Sequence, residues 1–362
     1  MTLKKTNLVI ARADEEHPRN SEAGMVDLRD GAILLGYQEY LPGAAGGEDN
    51  GLNQLVTLVS RDGGLSWGDK RVRVTNNPGD VNVYNTNFLR LPNDEILFAF
   101  MRYNVLAAGL PPVTSMYCCR SRDEGETFSA PAPIWERQPL GCASGVLKRL
   151  RNGRIILPIG RQTGAVWSAT DHDVLGAMLS DDLGASWQVS RNWIDLPLRG
   201  AMEAHVEELR DGRILMVMRT QLGAVFQSHS ADGGESWSKP QTTGLRQPET
   251  CPELIRLSTG DLMIVWCDAE YDPAFGSHYG KRSPLTAAIS RDEGASWQHF
   301  HNLAENPRIG NFNPVAHCTP AGRVIVTYTE TPYNDRWQMT HDHNDFCAAV
   351  FDVEWLYGPA TP

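Results

Sequence analysis

Glu203, His205 and Arg219 bring a carboxylate, an imidazole and a guanidinium into one short stretch of chain. Between them runs Val206-Glu-Glu-Leu-Arg-Asp-Gly212-Arg-Ile-Leu-Met, an apolar and polar alternation broken by Asp-Gly, which signals a tight hairpin. Glu203 and Arg219 are equidistant from Asp211, so the hairpin predicts them as cross-strand neighbours. His205, two residues beyond Glu203, is expected on the same face. A carboxylate so placed can take a proton from water or a hydroxyl, an imidazole can move one near neutral pH, and a guanidinium can grip an anion. Taken alone, the trio equally describes an ion pair at the edge of a hairpin.

The elements that must position these groups recur along the chain. Six hairpins of the same pattern turn at Gly31, Asp94, Gly153, Gly212, Gly260 and Gly322, with Asp94 standing for glycine in the second. Nine residues before each turn stand Glu22, Asn85, Ser144, Glu203, Cys251 and Asn313, all polar or small among largely apolar neighbours. Equivalent register predicts that these six ring a water-accessible central funnel, provided that no β-bulge shifts a strand. Interleaved with the hairpins are five copies of Ser-x-Asp-x-Gly-x-(Ser/Thr)-(Trp/Phe), beginning at Ser60, Ser121, Ser180, Ser230 and Ser290. In each, Asp can bond the turn's own amides, Gly supplies positive φ, and the aromatic ring pins the turn to the core. The motif is therefore structural. Six hairpins and the segments between them predict an all-β fold, a six-bladed β-propeller of four-stranded antiparallel blades, as a single domain over residues 1–362. Thr6-Asn-Leu-Val-Ile-Ala-Arg12 is expected to supply the closing strand, beside the run from Asp345 to Trp355.

The five Asp motifs, together with Glu203-Ala-His-Val-Glu-Glu-Leu-x-Asp-Gly-Arg-x-Leu-x-x-x-x-Arg219, resemble the sialidase (neuraminidase) superfamily over nearly the whole chain. The resemblance implies an exo-acting glycoside hydrolase whose substrate is an acidic sugar of sialic acid type, held through its carboxylate by three arginines. Arg219 matches one of these well; Arg19 and Arg282 stand where the other two belong. Glu22, three residues from Arg19, would orient it. Asp49, in Gly-Gly-Glu-Asp49-Asn-Gly, stands at the family's general acid, and Glu203 at its catalytic glutamate. The sequence departs at the nucleophile: where the family carries tyrosine, counting back from Gly322 gives Asn313. An amide cannot form a covalent glycosyl intermediate. Either Tyr84, Tyr271 or Tyr279 reaches in, or the mechanism differs. Three chemistries stay open: inverting hydrolysis by a water that Glu203 activates and Asn313 holds, with Asp49 as acid; β-elimination from a uronic acid with His205 or His317 as base; or binding of an acidic glycan without turnover.

Composition narrows the partners. Against 33 Lys and Arg stand 44 Asp and Glu, a net charge of −11, which argues against nucleic acid and against an anionic membrane surface. No stretch approaches the roughly 20 apolar residues of a membrane span, and the start of the chain lacks a signal-peptide core. The seven scattered cysteines do not form a disulfide framework, so the expected setting is cytoplasmic. Cys118 and Cys119 are expected on opposite faces of one strand. No metal or organic cofactor is expected: His341-Asp342-His343 lacks a third ligand at a useful spacing. Arg102 and Arg161 are one register step from Arg219 and should turn away from it, while Trp167 and Trp193 are expected to pack between blades.

Overall fold

The computed structural model describes residues 4–43, 47–165, 168–275, 278–340 and 343–359. Its organising feature is the hairpin. At Gly212 the chain turns with φ 89°, and Leu209 N donates to Arg213 O at 2.7 Å. Asp94 adopts the same left-handed conformation, φ 65°, in the place where the other hairpins have glycine.

Six antiparallel sheets follow, each opening with the strand nearest the axis. Blade 1 comprises Asn20–Asp27, Ile33–Tyr40, Asn53–Ser60 and Gly68–Val74, and blade 2 Asn82–Arg90, Ile96–Val105, Val113–Ser121 and Ala132–Gln138. In blade 3 the inner strand is broken into Leu140–Gly141 and Lys148–Arg149, followed by Ile155–Gln162, Asp173–Ser180 and Gln188–Val189. Blade 4 is Met202–Glu208, Ile214–Arg219, Ala224–Ser230 and Gln241–Arg246; blade 5 is Glu253–Arg256, Leu262–Cys267, Leu285–Ser290 and Gln298–Ala304. Blade 6 is Ile309–Cys318, Arg323–Pro332 and Asp345–Asp352, completed by Thr6–Ala11 from the other end of the chain. The fold is thus the expected six-bladed propeller, closed by the expected strand.

The Asp motifs act as fasteners between blades. In the third, Asp182 Oδ1 accepts from Ser186 N at 2.8 Å, its Oδ2 from the Ser186 hydroxyl at 2.5 Å, and Ser180 Oγ takes Gly184 N at 2.8 Å. This knot holds each glycine against the second strand of the preceding blade. A Cβ at Gly64 would lie 2.6 Å from Ile325, at Gly125 2.8 Å from Leu34, at Gly234 2.8 Å from Ile156, and at Gly294 2.6 Å from Leu215. Blade 6 has no Asp motif, and a 3-10 turn, Val353–Tyr357, seals it instead: Val353 and Leu356 join the core shared with blade 5. Cys118 and Cys119 enter two different inter-blade cores, as alternation requires.

Candidate functional site

The register that predicted a ring of polar residues marks a row of irregularities. Glu22, Asn85, Glu203 and Asn313 all have positive φ, at 60°, 63°, 42° and 50°. Each sits in a β-bulge of its inner strand, between Ser21 and Gly24, Tyr84 and Asn87, Met202 and His205, and Phe312 and Val315. The other two members, Ser144 and Cys251, lie where the inner strand is interrupted or has not begun. A bulge re-aims one side chain out of the pleat. Here it aims four of them along the axis, into a cavity of about 550 Å³.

The bulges also correct two expectations. Glu203 is not directly opposite Arg219; Met202 is, and the pairing slips by one residue before His205 meets Val217. Glu203 still reaches Arg219, Oε2 to Nη1 at 2.5 Å, but His205 no longer shares its face. It is buried outside the cavity lining, with Nδ1 3.0 Å from Glu253 Oε1. His317 is displaced likewise by the bulge beyond Phe312 and by four residues of strand rise; it bonds Asp27 Oδ1 through Nε2 at 2.9 Å, away from the cavity. The histidine that lines the cavity among the described residues is His278.

Arg19, Arg219 and Arg282, from three parts of the sequence, all line this cavity and are all buried. Arg19 Nη1 meets Asp49 Oδ1 at 2.7 Å, and its guanidinium lies 4.8 Å from the Tyr40 ring centroid. Arg219 Nη2 donates to Glu249 Oε1 at 2.7 Å. Arg282 stacks 5.6 Å from the Phe312 centroid and donates from Nη2 to the Glu249 carbonyl at 3.0 Å. Among the described residues it has no carboxylate partner. Burial, and then the neighbouring Arg219 charge, pull its pKa down. Asp49 is half-exposed at the rim, where the Tyr84 hydroxyl also reaches it at 3.4 Å.

Electrostatics separates the carboxylates of the floor. Burial pushes Glu203 up, but Arg219, the Cys251 thiol and Arg282 outweigh it and hold the carboxyl below its ordinary value. Glu22 is pushed up to about 7 by burial and by the Glu203 charge, against a pull from Arg19. Rather than bonding Arg19, the Glu22 carboxylate accepts from the Asn313 side-chain amide. Asp173 in the wall of blade 3 is also raised to about 7, by burial and by Asp171.

The sequence reading missed Glu249, 1% exposed, which joins Arg219, Arg199 and Gln221. It also missed Phe312 and Asp173. Glu249 lies two residues before Cys251, a spacing that could have placed it on the ring's face. Of the alternative tyrosines, Tyr84 lines the cavity beside Asp49, whereas Tyr271 and Tyr279 stack on each other at 5.5 Å outside the lining. The bonded partners of Glu203 among the described residues are Arg219 and Cys251, not a tyrosine. Arg102 turns away from the cavity to Asp80, 2.6 Å distant, and Trp193 packs on Gly176. Trp167 and His341 lie outside the described residues.

A protein family described as a BNR repeat-like domain matches residues 39–344. No curated protein matches the sequence. Among solved structures, the NanB sialidase from Streptococcus pneumoniae is similar with a TM-score of 0.75 at 13% identity, over 96% of this chain and 70% of that one. The intramolecular trans-sialidase from Ruminococcus gnavus, in complex with oseltamivir carboxylate, gives 0.72 at 17% identity, over 97% of each chain. A protein of unknown function from Dyadobacter fermentans gives 0.71 at 17%, over 96% and 97%. At these identities the likeness is one of fold.

Proposed function

The chain belongs to the BNR repeat-like domain family, and from that premise we propose that it is a glycoside hydrolase releasing a carboxylate-bearing sugar of sialic acid type from a glycan end. The observation that carries this reading is Arg282. A buried guanidinium without a carboxylate partner is costly unless an anion completes it, and this one faces the same cavity as Arg19 and Arg219. Three guanidinium groups suit a carboxylate because each donates in a fixed fork and keeps its charge. The sugar carboxylate would enter among them and compete with Asp49 for Arg19. Asp49, released from that ion pair, would then hold a proton more readily and could deliver it to the leaving oxygen. With Asn313 in the nucleophile's place, the attacking group in this reading is water, and the product is the inverted anomer. His205 and His317, the bases considered for elimination from a uronic acid, lie outside the cavity lining, and His278 is the histidine within it among the described residues.

The test is kinetic and stereochemical. Arg282→Ala is expected to lower kcat/KM on a carboxylated glycoside by at least about 10-fold, as the loss of a charge-assisted pair worth about 1.5–3 kcal/mol requires. Activity on the corresponding sugar amide should barely change. Proton NMR of the product from sialosides and uronic-acid glycosides reports the anomer released. Undiminished activity of the variant on the carboxylated substrate removes Arg282 from the reading.

A further inference from the structure

Below the arginines, the floor of the cavity is one hydrogen-bonded belt. Glu203 Oε2 accepts from Arg219 at 2.5 Å and from Cys251 Sγ at 2.7 Å. Cys251 Sγ lies 3.5 Å from Asn313 Oδ1, and Asn313 Nδ2 donates to Glu22 Oε1. Ser144 then links Glu22 to Asn85, whose Nδ2 is 3.3 Å from the Ser144 hydroxyl. Two carboxylates therefore flank Asn313, and they are engaged differently. One oxygen of Glu203 already carries a guanidinium and a thiol, and that guanidinium is pinned from behind by Glu249. Among the described residues, the groups that bond Glu22 are neutral: an amide and a hydroxyl.

Building on the glycosidase reading above, we propose that Glu22 is the general base of the reaction and that Asn313 seats the attacking water beside it. Glu22 takes one proton of that water while the water oxygen bonds to the anomeric carbon and keeps its second hydrogen as the new hydroxyl. The bond from that carbon to the leaving oxygen breaks, its electron pair staying with the oxygen, which receives the Asp49 proton. Glu22 then loses its proton to solvent and Asp49 regains one. Glu203 is a positioning residue: it holds Arg219 directly and accepts from the Cys251 thiol beside Asn313.

The charges around Glu22 agree with this division. Glu203 and Asp49 face it with negative charge, Arg19, just ahead of its strand, with positive charge, and the Tyr40 hydroxyl and Cys142 thiol are the other titratable groups near it. Its raised value, about 7, suits a base that must be free near neutrality and still bind a proton in the transition state. Glu203, held low, is the weaker base of the two.

The experiment compares wild type, E22Q, E22D and E203Q on the 4-methylumbelliferyl glycosides of a sialic acid and of a hexuronic acid. For E22Q, kcat is expected to fall about 10²–10⁴-fold. The loss of kcat/KM below about pH 7 should vanish with it, and calorimetric affinity for the free sugar acid should stay within about 3-fold of wild type. Added azide should restore turnover as a glycosyl azide of inverted configuration. E203Q is expected to raise KM and to keep the acid limb. If E22Q does not fold, E22D decides: a lower kcat with the limb retained supports the assignment, and wild-type kcat overturns it. An unchanged kcat in E22Q or a limb lost in E203Q instead overturns the role of Glu22 alone; a retained anomer from wild type overturns it together with direct attack by water, while the glycosidase assignment stands. Turnover of neither substrate by wild type overturns the glycosidase reading, and this assignment with it.

Discussion

Glu249 braces two arginines of the cavity, Arg219 and Arg199. Its Oε1 accepts from Arg219 and Arg199, and its Oε2 from Gln221 Nε2 at 2.9 Å; Glu249, Arg219 and Gln221 are buried and Arg199 partly so. Replacing it by Gln leaves the buried Arg219 and the partly buried Arg199 without this counter-charge, although Arg199 keeps Asp171. Loss of one partner from such a cluster costs about 3–5 kcal/mol, so Glu249→Gln should shift the urea midpoint clearly downward. Burial alone would raise the Glu249 pKa, but Arg219 and Arg199 outweigh it and the value is lowered. Its contribution is thus full above the ordinary glutamate value and is lost as pH falls through the lowered one; the midpoint difference between wild type and variant should shrink in that acid window. The sequence shows this residue in Gln247-Pro-Glu-Thr-Cys251, where its two-residue spacing from Cys251 hints at the ring's face but says nothing of its partners. What buries it are arginines from other segments, and no local pattern pairs them. Arg219 with Glu203 was legible for the opposite reason: a single hairpin holds both.

At the scale of elements, the hairpins and Asp motifs were legible because their chemistry is local. A turn needing positive φ calls for Gly, and a turn held by a carboxylate calls for Asp with a hydroxyl four residues on. The bulges were not legible. Asn85 and Asn313 tolerate left-handed backbone better than most residues, but Glu22 and Glu203 have no such preference; each glutamate costs on the order of 1–3 kcal/mol there and persists because the surrounding blades over-determine it. That is why strict alternation put His205 and His317 in the funnel while the fold turned both away. The Asp motifs carry their own prediction. Asp182 and Asp232 are each lowered to about 2: burial opposes the shift, slightly for Asp182 and as the largest single influence for Asp232, but the Ser186 and Ser236 hydroxyls and amides prevail. A depressed carboxylate stabilises the fold fully above its unfolded value, here 3.8, and ceases to do so as pH falls toward 2. Tryptophan fluorescence should therefore report loosening between about pH 4 and pH 2, and Asp182→Asn should move its onset to higher pH. An acid transition identical in the variant would detach that stability from the motif.

The whole molecule was legible as a count of units, because each blade repeats one hairpin, and the total charge of −11 still argues against a nucleic-acid partner. It gave no hint of the basic cluster in the cavity, Arg19, Arg219 and Arg282, which belongs to residues far apart in sequence. Nor did it show how blade 6 is sealed without an Asp motif, since Val353–Tyr357 carries no turn signature. The ring depends on Thr6–Ala11, paired with Asp345–Asp352, and on the adjacent Lys5 and Asn7, whose side chains donate to the Leu303 carbonyl at 3.0 and 2.8 Å. Removing residues 4–11 should lower the melting temperature by about 5 °C or more and expose a sheet edge, seen as concentration-dependent association in light scattering. A truncated chain that stays monomeric with the original melting temperature would show the clasp to be dispensable.

That clasp also fixes when the protein can finish folding. Residues 6–11 leave the ribosome long before their partners, residues 345–352. At the usual pace of translation the interval is on the order of tens of seconds. Throughout it the nascent amino-terminal segment has no sheet to join, and blades already formed wait as an open arc. Vectorial synthesis therefore cannot complete this ring step by step; closure waits until residues 345–352 have emerged, and chaperones that shield an unpaired strand would act on residues 6–11 until then.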